Sequence, residues 1–233
     1  MNIDKENSLF NTNFIYDITK FSHLDYPDHL SCIIWFGGCN MRCDYCYNKD
    51  IVFSKNGNYS FNDTLDFLKT RVGLLNGVVL SGGEATTHNL KEFTQEIKKL
   101  GFKIKLDTNG LNFKSIKELI DLNLIDFIAL DYKAPKDKFL KITHSNRYDE
   151  FSKTLDLLIN SNIKFEVRTT LHNDLLNEDD INTIIDDLLQ REYKNNYYLQ
   201  KFLVTQDNIA GIGTPKNSFD KSLLCKEINL VWR

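Results

Sequence analysis

Ile34-Trp35-Phe36-Gly37-Gly38-Cys39-Asn40-Met41-Arg42-Cys43-Asp44-Tyr45-Cys46-Tyr47-Asn48 crowds three cysteines into eight residues directly after an apolar run that starts at Ser31. A short continuous apolar run closed by two glycines predicts a buried strand. The cysteines then sit on the loop at its carboxyl end, spaced C-x3-C-x2-C. Four-iron, four-sulfur clusters usually take four thiolates, so three close ligands without a fourth imply one open iron, and open coordination marks a catalytic metal. Two blander readings stand beside this one: a structural zinc completed by His172 or Cys225, or cysteines that merely pack. Structural zinc sites pair their ligands as two short knuckles, and no second knuckle follows here. Cys32 and Cys225 stand alone and read as small buried hydrophobes.

Outward from this loop, short apolar runs alternate with stretches of helical periodicity, the rhythm of β/α units. Six strands are predicted: Ser31 to Phe36, Gly77 to Ser81, Phe102 to Asp107, Asp126 to Asp131, Lys164 to Thr170 and Tyr197 to Val204. Leu90, Phe93, Ile97 and Leu100 share one helical face, as do Ile181, Ile184, Ile185, Leu188 and Leu189. Weaker helices are expected over Asn62 to Val72 and Tyr148 to Asn160. Ser115 with Glu118 three residues on resembles a capping box opening the helix of Ile116, Leu119 and Ile120. The expected fold class is α/β, a partial, open (β/α)6 TIM-like barrel, with a doubly wound sheet as the alternative. The expected division is an N-terminal extension over 1–20, a core domain over 21–205 and a tail over 206–233. Gly211, Gly213 and Pro215 in the 195–217 region read as a flexible edge near the barrel mouth.

Parallel β/α architecture puts ligands at the carboxyl ends of its strands. The second predicted strand ends in Gly82-Gly83-Glu84, glycines that would let a ligand approach the backbone beside a carboxylate. The third ends in Asp107-Thr108-Asn109-Gly110, the fourth in Asp131-Tyr132-Lys133, the fifth in Arg168-Thr169-Thr170, and Gln200 lies on the sixth. Any one of these residues is explained by a polar loop beginning where a strand stops. As a set, Asp107, Asn109, Asp131, Lys133 and Arg168 are expected to converge on one mouth that offers both charges of an amino acid zwitterion a partner.

Twenty-nine basic against thirty-two acidic residues leave a formal charge of -3 with no basic block, which argues against nucleic acid as a partner. With 42% hydrophobic and 26% charged residues, the 233-residue chain can bury a sizeable core. No run approaches the roughly 18 apolar residues of a membrane span. Met1 to Lys20 lacks the apolar stretch of a secretion signal. The reading is a cytoplasmic protein, where cysteines serve metals or catalysis rather than disulfides.

With these residues in view, the chain resembles the radical S-adenosylmethionine superfamily. The likeness runs from about Phe21 to Gln200, carried by the cysteine loop, Tyr26-Pro27, Ser81-Gly82-Gly83-Glu84, Asp107-Thr108-Asn109-Gly110, Asp131-Tyr132-Lys133-Ala134 and Arg168-Thr169-Thr170. It most resembles the activating proteins of anaerobic ribonucleoside-triphosphate reductase, relatives of pyruvate formate-lyase activating enzyme. The resemblance implies one 4Fe-4S cluster on Cys39, Cys43 and Cys46, with S-adenosylmethionine chelating the open iron. Cleavage of the cofactor would give a 5'-deoxyadenosyl radical that takes a hydrogen atom from a partner's glycine. It further implies that the backbone at Tyr45 contacts adenine, that Gly82, Gly83 and Glu84 meet the methionyl amine, and that Asp131 and Lys133 contact the cofactor. Arg168 would meet a carboxylate or the substrate. Asp107, Thr108 and Asp131 match a monovalent-cation site. A flavodoxin or ferredoxin is the implied reductant. Three positions depart from the family: Ala85 replaces a proline, Asp28 a glycine, and Tyr47 the histidine of many activases. Two other functions compete, a radical modifier of another peptide or small molecule and a non-catalytic iron-sulfur or zinc module.

Overall fold

The computed structural model describes residues 10–205 and 207–233; the first nine residues of the expected 1–20 extension, and position 206 at the start of the expected tail, lie outside the described residues. The elements in chain order are β1 (Ile15–Ser22), β2 (Ser31–Phe36), α1 (Lys49–Phe53), α2 (Phe61–Lys69), β3 (Gly77–Gly82), α3 (Lys91–Lys99), β4 (Lys103–Thr108), α4 (Phe113–Asp121), β5 (Phe127–Asp131), α5 (Lys136–Thr143), α6 (Tyr148–Ile159), β6 (Lys164–Leu171), α7 (Glu178–Gln190), β7 (Tyr197–Lys201) and β8 (Leu230–Trp232). The strands form an open, mostly parallel eight-stranded sheet in chain order. Two compact units are distinguished, one of residues up to Asn40, Asp50–Thr108 and Lys114–Ile128, the other of Met41–Lys49, Asn109–Phe113 and Ala129–Arg233.

In the first unit β1 pairs antiparallel with β2, and β2, β3 and β4 run parallel. Strand β2 is buried at every position but Trp35, as its unbroken apolar run requires of a strand covered on both faces. One face packs Ile33 and Val79 against Tyr26, with Trp35 and Phe127 alongside. Toward the helices, Phe61 of α2 stacks on Phe93 of α3 at 4.2 Å, with Phe36 edge-on to both. In the second unit β6, β7 and β8 run parallel, and α7 buries Ile181, Ile184, Ile185 and Leu188.

The six predicted strands correspond to β2–β7, each displaced by at most a few residues. Two strands were not anticipated. β1 carries Asp17, Thr19 and Lys20 and buries only its two ends, the composition of an edge strand whose stability comes from pairing. β8 is three residues long, too short for any periodicity. The capping box expected at Ser115 is corrected: α4 begins two residues earlier, at Phe113, so Ser115 lies inside its first turn, while Glu118 pairs with Lys91. Reciprocal capping boxes instead open α2 at Ser60 and Asp63 and α7 at Asn177 and Asp180.

Asp28, standing where the family has glycine, has φ 63°. Aspartate is among the side chains that tolerate this left-handed region, so the turn survives the exchange.

Candidate cofactor site

Cys39 and the turn after β3 lie in the first unit. Gly37 donates to Phe14 O, its own carbonyl is held by His88 Nε2 at 2.9 Å, and Gly38 N donates to Ile51 O. His88 is packed against Phe14 and Phe36, and burial holds its pKa down. The backbone entering Cys39 is thus fixed at consecutive residues. The turn after β3 locks onto the same backbone: Gly83 N donates to Phe36 O and Glu84 N to Gly38 O, both at 2.9 Å.

This contact explains the paired glycines. Gly82 has φ 117°, and a Cβ there would lie 2.4 Å from Phe36 N; a Cβ on Gly83 would lie 1.9 Å from Gly38 O. On the side where a side chain would project, the space is filled by the chain's own backbone. Glu84, 2% exposed, keeps Oε1 as acceptor for the hydroxyls of Thr86 and Thr108 at 2.5 and 2.8 Å and for Thr86 N. Ala85 opens the short turn Ala85–Thr87, the first helical position where a proline is also accepted, so losing the family's proline leaves the geometry intact. Asp107 accepts from Lys105 Nζ at 2.5 Å and from Ser81 Oγ at 3.2 Å.

Cys43 and Cys46 lie in the second unit. Arg42 N and Asp44 N donate to Thr143 O and Ile142 O, carbonyls at the end of α5 that have no partner inside the helix. Asp44 also bonds His144, the left-handed cap of that helix, at 2.7 Å. Cys46 N closes a turn onto Cys43 O. From another side, Ile209 N donates to Cys46 O and Ala210 N to Asp44 O. The segment expected to be a flexible edge is therefore a brace. It is pinned in turn by Asn208 on Ile212, by His172 on Gly213 O and by Asp174 on Lys216 N and Asn217 N. Sequence reasoning missed this role because the bonds to Cys46 O and Asp44 O are made by backbone N–H groups.

Asp131, Lys133 and Arg168 are brought together: Arg168 Nε and Lys133 Nζ donate to the two oxygens of Asp131 at 2.5 and 2.9 Å. Burial pushes Asp131 up, but the two cations outweigh it and hold the carboxyl at about 2. Lys133 is held well above its ordinary value, burial being opposed by Asp131 and Tyr45, and its Nζ lies 5.9 Å from the Tyr45 ring centre. The Tyr45 hydroxyl is buried without a hydrogen-bond partner among the described residues. Asn109, 4% exposed, uses Oδ1 on Leu111 N. Tyr47 is half exposed.

A stability consequence follows from Asp131. Its folded pKa lies below the 3.8 of an ordinary carboxyl, so its contribution is complete above about pH 4 and is lost as pH falls through about 2. At 1.36 kcal/mol per unit the pH-dependent part is roughly 2 kcal/mol. Denaturant unfolding of the wild type and Asp131→Asn from pH 2 to 7 is expected to show their difference in stability shrinking by that amount toward low pH; a constant difference refutes it.

The donor set suits an iron-sulfur cluster. All five cysteines are free thiols, and soft thiolates select zinc, copper(I) or iron-sulfur groups. Among the described residues no three His, Cys, Asp or Glu side chains are closed around a single metal ion. Of the two residues offered to complete a zinc site, His172 is engaged elsewhere, with Gly213 O and the Phe202 ring.

The model of the family described as the radical SAM superfamily matches residues 33–188. A Methanocaldococcus jannaschii protein, provisionally named a glycyl-radical enzyme activating enzyme, is 36% identical over 72% of this chain and 72% of its own length. The pyruvate formate-lyase 1-activating enzyme of Escherichia coli K12 is 32% identical over 58% of each chain. Among solved structures, native anSMEcpe with bound AdoMet superposes with a TM-score of 0.60 at 17% identity, over 72% of this chain and 49% of that one. Streptococcus suis SuiB bound to precursor peptide SuiA gives 0.61 at 16% identity, over 73% and 39%. The chain thus spans less than half the length of these two structures, and the likeness to them is one of fold.

Proposed function

The chain belongs to the radical S-adenosylmethionine superfamily, enzymes that use a 4Fe-4S cluster and S-adenosylmethionine, and on that premise we propose that it activates a glycyl-radical enzyme, specifically anaerobic ribonucleoside-triphosphate reductase. The observation that carries the reading is the 36% identity to an activating-enzyme relative across 72% of both chains. When bound, the reduced cluster and S-adenosylmethionine supply an electron and a carbon-centred radical, which takes one hydrogen atom from a glycine Cα of the partner.

The protein's own part is positioning and shielding. Cys39, Cys43 and Cys46 would hold the cluster and the Tyr45 backbone would meet the adenine. Gly82, Gly83 and Glu84 would meet the methionyl amine. Asn109, Asp131, Lys133 and Arg168 would offer one amide, one carboxylate and two cations to the methionyl and ribose ends. In this set Asp131 is already an anion fixed between two cations, so it is preorganised to accept a hydrogen bond without first losing a proton. Thiol ligation of this kind is favoured in a reducing compartment, which supports a cytoplasmic enzyme with flavodoxin or ferredoxin as its electron donor.

No helix among the described residues is long and apolar enough to cross a membrane. Anaerobic incubation of reconstituted protein, S-adenosylmethionine, reductant and the reductase is expected to give a glycyl doublet by electron spin resonance and equimolar 5'-deoxyadenosine. 5'-Deoxyadenosine without a glycyl signal would make the reductase the wrong partner. Neither product would overturn the enzyme reading.

A further inference from the structure

Lys105 has no assigned role, yet it is an uncommon residue: its side chain is 3% exposed, and Nζ lies 2.5 Å from Asp107 Oδ1. Lys105 and Asp107 stand two apart on β4 and so project from the same face. Val79 is the register neighbour of Lys105 on β3, and Ser81, two residues on, donates to the other oxygen of Asp107. The ammonium is delivered to the carboxylate by strand geometry.

Asp107, Thr108 and Asp131 are the residues that resemblance assigns to a monovalent cation. Within the first unit Asp107 already faces a full positive charge, and the Thr108 hydroxyl donates to Glu84 Oε1. Within the second, Asp131 is neutralised by Lys133 and Arg168. A further cation at Asp107 would meet the Lys105 ammonium at close range in a poorly screened interior, where like charges repel strongly. An ammonium and a potassium ion carry the same charge and are of similar size, but the ammonium is covalently attached. These residues do not fit an exchangeable cation.

We infer that Lys105 is a positioning residue whose ammonium takes the place of a monovalent cation beside Asp107, making cofactor binding independent of potassium and sodium. The inference rests on the reading of this region as the S-adenosylmethionine site, but not on the identity of the partner enzyme. Removing the ammonium while keeping an apolar stem, as in Lys105→Met, would restore a carboxylate that needs an exchangeable ion.

The test is equilibrium dialysis of radioactive rubidium, a potassium analogue, against reconstituted wild type and Lys105→Met, with S-adenosylmethionine affinity measured in potassium and choline chloride at equal ionic strength. The wild type is expected to bind no stoichiometric rubidium and to change affinity by less than about twofold between salts. Lys105→Met should bind rubidium and lose roughly tenfold in affinity in choline, recovering most of it in potassium, within the usual range of coupling between two ligands. Stoichiometric rubidium on the wild type overturns the inference, and so does Lys105→Met with unchanged affinity or with a loss that no monovalent cation repairs. Should Lys105→Met not fold, the wild-type rubidium result decides alone. Neither measurement involves the reductase, so a missing glycyl signal leaves this inference standing.

Discussion

Cys43→Ala is expected to yield a folded chain that retains little iron after anaerobic reconstitution and makes no detectable 5'-deoxyadenosine, a loss of at least about three orders of magnitude. Groups that merely orient a metal ligand cost roughly 10- to 100-fold when removed; a ligand itself must cost more. The fold should survive because the neighbouring loop is held by backbone bonds that the Cys43 side chain does not make: Arg42 N and Asp44 N to the end of α5, and Cys46 O and Asp44 O to Ile209 N and Ala210 N. Loss of cluster and loss of structure are therefore separable by iron content, visible absorbance and circular dichroism.

The other two cysteines serve as controls within the same chain. Cys32 lies fully buried on β2, where burial pushes its thiol up to about 12, so it is neither a thiolate ligand nor a reactive nucleophile at neutral pH. Cys225 is engaged through its backbone with Asn182. Alanine at either position should leave iron content and 5'-deoxyadenosine formation close to wild type. If Cys43→Ala retained full iron and activity, or if Cys225→Ala abolished both, the assignment of the cluster to the Cys39–Cys46 loop would fail.

The parts of the fold that could be read in advance are those whose signal is local. β2 announces itself through Ser31–Phe36 because a strand covered on both faces must be apolar throughout, and α7 through its 3.6-residue spacing of Ile181, Ile184, Ile185 and Leu188. β1 and β8 were hidden because their stability comes from pairing with β2 and β7, which no local pattern records. The same divide runs through the candidate site. The cysteine spacing and the charged strand ends are visible as residue types, and Asp131, Lys133 and Arg168 do meet. What the sequence conceals is what holds them: carbonyls at the end of α5, the backbone of Ile209 and Ala210, the His88 ring on Gly37 O. Backbone groups are common to all residues, so their use leaves no compositional trace. Lys105 is hidden for another reason, since a lysine inside a strand reads as a solvent-facing residue until its partner Asp107 is seen on the same buried face.

Gly83→Ala is expected to disable the site without touching a thiol. An added Cβ would stand 1.9 Å from Gly38 O and 3.3 Å from Cys39 Cβ. No rotamer change relieves this, because both the intruding carbon and the atom it meets belong to backbone-fixed positions. Either β3 and its turn retreat, breaking the bonds from Gly83 N to Phe36 O and from Glu84 N to Gly38 O, or Gly38 moves and carries Cys39 with it. Forcing extra carbon into a closed interior typically costs about 1–3 kcal/mol, and a backbone clash without an escape belongs at or above the top of that range. The expected result is destabilisation by at least about 3 kcal/mol in denaturant unfolding, with iron incorporation reduced in the fraction that folds. Gly101→Ala supplies the comparison: unlike Gly83 it has a positive φ, 89°, but nothing stands within 4 Å of its added carbon. Its cost should be confined to backbone strain, about 1 kcal/mol, with full iron loading. Equal effects at the two glycines would mean that the approach to Gly38 O costs no more than the backbone strain at Gly101, and that contact between the turn after β3 and the backbone before Cys39 is not what sets the position of the thiol.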